Sequence, residues 1–316
     1  MIPYTLRRLA ATIPVLVVVT VFTFGLLYLV PGDPVDVIYG DDPSATPERL
    51  AALREEMGLA DPPLQRLWDF VSGAVVGDFG DSPFLSTSIG EEILRRGEIT
   101  LLLAALSIII TLLLGFPLGV IAALRRGSWL DTVLGGMSSL FIAVPSFLVG
   151  IILAYVFGAR LGWLPAAGYV PLSEGVGASL RSLLLPSAAL ALAHVALVAR
   201  LMRTQCIDAL NSAYVRAARS RGVQGSKIFF SYVARNSVTP TLSIMGVLLG
   251  AALSGSIVIE IVFGLPGLGN LTVHALNNRD FFVVQAVMLV ATVIHVLATL
   301  IADLLIGLVD PRVRTS

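Results

Sequence analysis

The chain has 316 residues, of which 56% are hydrophobic and 13% are charged, and its mean hydropathy is +0.88. A soluble globular domain carries about 25% charged residues, so this composition excludes an ordinary water-soluble domain. The net charge is zero, with 21 basic and 21 acidic residues, which argues against a nucleic acid as partner. The single cysteine, Cys206, excludes an internal disulfide framework and a multi-thiolate metal site.

Long stretches without a charged residue indicate membrane-spanning helices. Six such stretches, of 19, 26, 28, 18, 24 and 22 residues, occupy positions 12–30, 99–124, 132–159, 182–199, 236–259 and 281–302. About 20 apolar residues are enough for an α-helix to cross the hydrocarbon core of a bilayer. The sequence therefore predicts an all-α, polytopic membrane protein with six transmembrane helices. The first stretch has no small-residue cleavage site after it, so we interpret it as a retained helix.

The basic residues are concentrated on one side of these predicted helices. With six spans, the two termini share a side with the loops after helices two and four. That side carries 13 basic residues against three acidic ones, whereas the first loop on the other side, 31–98, carries 14 acidic residues and five arginines. Because short cytoplasmic loops are enriched in Lys and Arg, both termini are predicted to be cytoplasmic.

The first predicted helix is followed by an external segment with some structure of its own. Thr46 is placed to cap a short helix over 47–57, and apolar residues at 64, 67, 68 and 71 give a second amphipathic patch. Such a patch is suited to a membrane surface or a partner. The chain is thus predicted to divide into a first helix with a long external loop, 1–98, and a five-helix core, 99–316.

Two features within the predicted core concern helix packing. Gly115 and Gly119 have the small-xxx-small spacing that permits close helix approach in membranes. Pro145 lies inside the third apolar stretch and predicts a kink there.

The segment after helix four is polar, basic and helix-rich, although it lies between two membrane spans. Asn211 or Ser212 can cap a helix that Gly222 ends, Ser226 can cap a second short helix, and Pro240 is then expected to open helix five. On the first of these helices one face combines small and basic residues that suit a close contact with another surface: Tyr214, Ala217, Ala218 and Arg221, with Arg216 and Arg219 at its edge. A simpler interpretation is a basic loop that only satisfies the positive-inside rule.

The same segment resembles a known family. Residues 214–223, Tyr-Val-Arg-Ala-Ala-Arg-Ser-Arg-Gly-Val, resemble the EAA loop of ATP-binding-cassette (ABC) importer permeases, in the variant of peptide and nickel permeases where arginine replaces the glutamate of the motif. Further motifs in the family's order run along nearly the whole chain: 31–34, 57–59, 77–82, 125–131, 145–147, 161–165, 263–269, 279–280 and 310–312. The resemblance is strongest to the first permease of dipeptide and oligopeptide systems. Leu265, where the family usually has tryptophan, and Gly97-Glu98 depart from its pattern.

The resemblance implies a type I ABC importer permease fold and a multi-pass subunit of the bacterial inner membrane. Such a subunit has no catalytic residues, no metal and no cofactor of its own, because partner ATPases bind ATP and Mg²⁺. The implied partners are a second homologous permease, two ATPase subunits or one fused ATPase, an external substrate-binding (lipo)protein, and membrane lipid. Carried over from the family, the residues that dock the ATPase lie in a coupling loop, 203–239: Tyr214, Arg216, Ala217, Ala218, Arg219 and Gly222. The implied cargo is a di- or oligopeptide, with nickel chelates and glutathione left open.

No motif for chemistry appears independently of the family. The sequence has no G-x-x-x-x-G-K-[ST] phosphate loop, no G-x-S-x-G and no H-E-x-x-H. The alternative function is an ion-coupled secondary transporter, in which Glu260, Asp303 and the histidines carry protons; inverted repeats would favour it, but none is evident. A non-transporting membrane scaffold is a third possibility.

Three residues at membrane depth are candidates for the translocation path: Pro145, Glu260 and Asp303. Glu260 either contacts a peptide amine or reaches interfacial water. For Asp303, a hydrogen bond to another helix competes with a contact to substrate.

Overall fold

The computed structural model describes residues 2–29, 35, 46–56 and 59–309 of the chain. Within these ranges the chain forms helices and no β-strand, as predicted. The principal helices are α1 (Ile2–Leu29), α2 (Pro47–Glu56), α3 (Pro63–Val76), α4 (Ile89–Leu124), α5 (Trp129–Ala143), α6 (Ser146–Leu153), α7 (Val176–Leu210), α8 (Ala213–Ser220), α9 (Gly225–Ile228), α10 (Arg235–Leu242), α11 (Met245–Phe263), α12 (Leu268–Asn277) and α13 (Phe281–Val309). Two π-helical turns, Ala154–Arg160 and Phe229–Ala234, continue α6 and join α9 to α10.

Four of these helices are long and apolar enough to cross a membrane: Ile89–Leu124, Val176–Leu210, Met245–Phe263 and Phe281–Ala302. A fifth span is obtained if the bent pair Trp129–Ala143 and Ser146–Arg160 is taken together. The described part of α1 contains a shorter apolar stretch, Ala10–Gly25. The chain is therefore an integral membrane protein, while six spans and cytoplasmic termini stay predictions.

The chain divides into two compact units. The first unit contains Thr100–Leu265 together with Met1–Thr5 and Leu297–Ser316, and the second contains Leu6–Ile99 and Pro266–Val296. The predicted division of the chain into 1–98 and 99–316 stays a prediction.

Helix α7 is the central helix of the first unit and packs against α5, α6, α10 and α11. Two glycines bring α4 very close to it. A methyl group on Gly115 would lie 2.8 Å from Val198 Cγ1, and one on Gly119 would lie 2.6 Å from the Ala199 carbonyl oxygen. The close approach predicted from the glycine spacing is confirmed, and α7 is its partner.

The third apolar stretch is broken where a kink was predicted. Helices α5 and α6 meet at Val144 and Pro145 with a bend of 104°, and Pro145 is the N-terminal cap residue of α6. Proline lacks the N–H that an uninterrupted helix would need at this position. The kink is confirmed, and it is sharp enough to turn the chain through more than a right angle.

The start of the predicted fifth span is wrong in one detail. Pro240 lies inside α10, and the long apolar helix α11 begins five residues later, at Met245. Pro240 is the sixth residue of α10, beyond the first turn where proline is favoured, so it does not mark the start of a helix here. The predicted cap Ser226 is likewise already inside α9, which Gln224 precedes.

The second unit is built on an apolar core formed by the start of α4, α12 and the first turns of α13. The loop between α3 and α4 is fixed to it, because Ser82 Oγ donates a hydrogen bond to the buried Asp280 carboxylate. Thr46 caps α2 as predicted, by accepting a hydrogen bond from Arg49 N at 3.3 Å. On α3, Leu64 and Trp68 are exposed, as expected for the amphipathic patch.

Candidate functional site

The predicted coupling loop, 203–239, begins in the last turns of α7 and contains the short helices α8 and α9. Ser212 precedes α8, but its hydroxyl donates back to the Ala209 carbonyl at 2.5 Å and does not cap the helix. Gly222 follows α8 with a φ of +75°, while Val223 N donates to the Ala218 carbonyl at 3.2 Å. The tight reversal after α8 therefore depends on a backbone conformation that glycine adopts freely.

The inner face of α8 packs against an apolar cluster, which we call the seat of α8. Val215 and Ala218 are fully buried, and they pack in one cluster with buried residues of α7, α9 and the turn that follows: Met202, Cys206, Ala209, Ile228 and Val233. Ala123, at the end of α4, also belongs to this cluster. The seat thus joins α8 directly to the end of the long helix α7.

Burial of Ala218 corrects its predicted role. The sequence placed Ala217 and Ala218 together on a face open to a partner, but only Ala217 is exposed. Successive residues on an α-helix point about 100° apart, so Val215 and Ala218, three residues apart, form the inner face. Ala218 therefore supports α8 from below and is not available for contact with a partner in this structure.

The other five predicted docking residues lie on the outside: Tyr214, Arg216, Ala217, Arg219 and Gly222. The ring of Tyr214 stacks on Tyr232 with 6.5 Å between centroids, and its hydroxyl accepts a hydrogen bond from Asn236 Nδ2 at 3.2 Å. Arg216 Nη1 donates to the Asn211 carbonyl at 2.7 Å, which directs the guanidinium toward the start of α8. These contacts order the outer face while leaving it exposed.

The outer face is strongly basic. Between Asn211 and Asn236 the sequence contains no acidic residue but five basic ones, and all five are exposed: Arg216, Arg219, Arg221, Lys227 and Arg235. A surface of this kind attracts an acidic protein partner through long-range electrostatics.

The three candidates for the translocation path have different environments. Pro145 is exposed at the bend between α5 and α6. Glu260 is fully buried, and its Oε1 accepts a hydrogen bond from Thr100 Oγ1 at 2.7 Å. Glu260 therefore does not reach interfacial water in this structure, contrary to one of the two interpretations of it. The side chain of Asp303 lies outside the described residues.

An ion pair at the start of the predicted coupling loop was not anticipated. Arg203 Nε donates to Asp131 Oδ1 at 2.6 Å and Arg203 Nη2 donates to Asp131 Oδ2 at 2.8 Å, so the pair is bidentate. From the sequence, Asp131 belonged to the family motif at 125–131 and Arg203 was the first residue of the predicted coupling loop, but the two residues were not predicted to pair. The usable signal was their position, because each lies within a few residues of the end of a charge-free stretch.

No group of three or more His, Cys, Asp or Glu side chains is arranged to hold a metal ion within the ranges that the structure describes. The features that stand out are several long apolar helices and an exposed basic segment that packs on the end of one of them, α7. Together they define an α-helical integral membrane protein with a polar segment suited to a soluble partner.

Comparison with known proteins identifies the family. Residues 115–315 match the family described as the binding-protein-dependent transport system inner membrane component, and residues 1–88 match the N-terminal region of such membrane components. The chain belongs to this family. It is an ABC importer permease of the dipeptide, oligopeptide and nickel type, a class that works with ATPase and binding-protein partners.

Similar proteins match the chain over nearly its whole length. A protein of Brucella abortus (strain 2308), named as a peptide transport system permease protein, is 38% identical over 98% of both chains. A peptide ABC transporter permease protein of Sinorhizobium fredii is 36% identical over 98% of this chain and 99% of its own length. The glutathione transport system permease protein GsiC of Escherichia coli (strain K12) is 35% identical over 99% of both chains.

Proposed function

We propose that the chain is the first of two homologous permease subunits in a bacterial importer of di- and oligopeptides, located in the inner membrane. The two permeases together form the translocation path across the bilayer. Two ATPase subunits, or one fused ATPase, bind ATP and Mg²⁺ in the cytoplasm, and an external binding protein delivers and selects the peptide. The names of the similar proteins, two for peptide transport and one for glutathione, support this substrate class.

Docking of the ATPase is assigned to the coupling loop, 203–239. The observation that carries this assignment is the two-sided character of α8, which has a buried apolar face and an exposed basic face. A segment that only satisfied the positive-inside rule would need the charges but not the seat. Tyr214, Arg216, Ala217 and Arg219 form the proposed contact surface, and Gly222 sets the reversal that ends it.

A single substitution on the exposed face tests the assignment. In Ala217→Glu, a carboxylate on the basic face would repel an acidic partner and fill the space that alanine leaves for close contact. We expect co-purification of the ATPase with the detergent-solubilised permease pair to fall about tenfold or more, as for a buried like-charge contact.

The matched control is Ala167→Glu, which makes the same change at an exposed position in the loop between α6 and α7. This loop is predicted on the opposite side of the membrane, so the control variant should retain the ATPase. Full ATPase recovery with Ala217→Glu, or equal loss in both variants, would refute the docking assignment.

A further inference from the structure

The ion pair Asp131–Arg203 joins two parts of the first unit that are distant in sequence. Arg203 lies in the last turns of α7, and Asp131 lies in the first turn of α5. The Asp131 side chain is 9% exposed and that of Arg203 is 33% exposed, so the contact is largely shielded from water. Bidentate arginine–carboxylate pairs have a fixed geometry, which a single point-charge contact lacks.

The same carboxylate also fixes the turn between α4 and α5. Asp131 Oδ2 accepts a third hydrogen bond from Gly127 N at 3.0 Å, and Ser128 Oγ caps α5 by accepting from Asp131 N at 3.3 Å. Arg203 is thus attached to a turn that is itself held in one conformation.

Along α7, Arg203 lies beside residues of the cluster that supports α8. Its neighbours Met202 and Cys206 are buried in the cluster that supports Val215 and Ala218. Met202 also lies against α4, since a methyl group on Gly119 would come within 2.7 Å of Met202 Cβ. The last turns of α7 therefore contact α8 on one side and the α4–α5 hairpin on the other.

We propose that the Asp131–Arg203 pair is the link through which movement of the coupling loop reaches the α4–α5 hairpin and the bend that follows it at Pro145. Both residues are positioning residues: they act through the helices they connect and touch neither peptide nor nucleotide. This inference rests on the proposed function, because it requires an ATPase to move α8.

The test uses the complete transporter, with both permeases and the ATPase, in proteoliposomes. Cys206→Ala removes the single cysteine, and Met137→Cys, at an exposed position on α5, introduces a reporter. The rate at which a water-soluble maleimide alkylates the reporter is measured with and without ATP plus vanadate. Co-purification of the ATPase is measured in parallel on the same variants.

We expect nucleotide trapping to change the alkylation rate when the pair is intact. Asp131→Asn and Arg203→Gln should each reduce that change about tenfold, a usual size for coupling between sites, and the double variant should lose no more than either single one. Arg203→Lys keeps the charge but not the bidentate geometry, so it should restore part of the change. In each variant the ATPase should still co-purify.

The matched control is Arg200→Gln, one turn earlier on α7, where Arg200 Nη2 donates to Ser139 Oγ at 2.9 Å. It should behave as the unsubstituted pair does. A full response in both single variants, independent losses in the double variant, or no response with the pair intact would overturn the link. If the ATPase failed to co-purify only with the Asp131 and Arg203 variants, the pair would belong to docking and the proposed link would be overturned. If the ATPase failed to co-purify even with the protein in which the pair is intact, the proposed function itself would be refuted.

Discussion

At the scale of single residues, Gly222 shows how one backbone angle shapes the proposed docking surface. Its φ of +75° lies in the left-handed region, and a methyl group added there would have no heavy atom within 4 Å. Any effect of a substitution would therefore come from backbone strain and not from a clash. Side chains other than glycine disfavour this region by about 1–2 kcal/mol, and asparagine disfavours it least.

Because backbone strain, and not a steric clash, limits what can replace Gly222, substitutions there should follow the conformational preference of the new residue and not its size. Gly222→Ala is expected to loosen the end of α8, and Gly222→Asn to loosen it less, although asparagine is larger. Limited proteolysis between residues 211 and 236, with ATPase co-purification alongside, should rank the variants glycine, asparagine, alanine in decreasing protection. If asparagine proved worse than alanine, side-chain size and not φ would control the site.

Residues also mark the limit of what the sequence predicts. The motif at 214–223 indicated which helix to propose for docking, but it did not separate Ala217, which is exposed, from Ala218, which is buried. That difference depends on where Met202 and Cys206 lie, and periodicity within an eight-residue helix does not reveal a neighbour's position. The Asp131–Arg203 pair was not predicted for the same reason: its two residues are 72 positions apart, so their contact depends on how the helices pack.

At the scale of elements, the contact between α4 and α7 depends on the absence of side chains. Gly115 and Gly119 face Val198, Ala199 and Met202 with no room for a Cβ atom. Within a membrane, helices gain little from burying apolar surface, so close packing of backbones is a main source of their association. The spacing of these glycines was readable in the sequence, whereas the identity of the partner helix was not.

The contact predicts the effect of adding one methyl group. Gly119→Ala should force α4 and α7 apart and lower the free energy of unfolding by about 1–3 kcal/mol, the usual cost of overpacking. The midpoint of thermal denaturation in detergent should fall accordingly.

The matched control for that substitution is Gly136→Ala on α5, where the added methyl would have no heavy atom within 4 Å. It should leave the midpoint unchanged or raise it, because alanine favours a helix over glycine by about 1 kcal/mol. Equal destabilisation in the two variants would show that close approach at Gly119 is not what matters.

Other element boundaries were harder to predict. The run 236–259 has no charged residue, so composition alone makes it one span, but the chain interrupts it between α10 and α11. Ser243 N donates to the Thr239 carbonyl and Leu248 N donates to the Ile244 carbonyl, so the backbone stays largely bonded across the junction. A break of this kind leaves little trace in hydropathy.

At the scale of the whole molecule, the partition of charge carried most of the functional information. The net charge of zero separates into an acidic segment, 31–98, and basic segments that include the predicted coupling loop. Composition was enough to predict an all-α membrane protein, and the order of motifs was enough to predict the family that the comparisons confirm. The energy source follows from the family, since an ABC permease is driven by its ATPase.

That energy source can be tested on the intact transporter. Uptake of radiolabelled di- and tripeptides, glutathione among them, is expected to stop when ATP is depleted and to persist when a protonophore dissipates the proton gradient. Cells whose cytoplasmic ATP is kept constant by an added energy source provide the control for secondary effects of the protonophore. Uptake that survived ATP depletion and collapsed with the gradient would reverse the choice in favour of the ion-coupled alternative.

The bend at Pro145 has a consequence for what can surround it. Helices α5 and α6 meet there at 104°, and Pro145 itself is exposed in the single chain. Proline supplies no N–H to the carbonyl of Phe141, and lipid tails offer no hydrogen bond in its place. Irregular backbone is tolerated at membrane depth only where it is covered by protein or bathed in water. If the bend at Pro145 lies within the hydrocarbon core, it must therefore be covered by protein or water and not by lipid acyl chains.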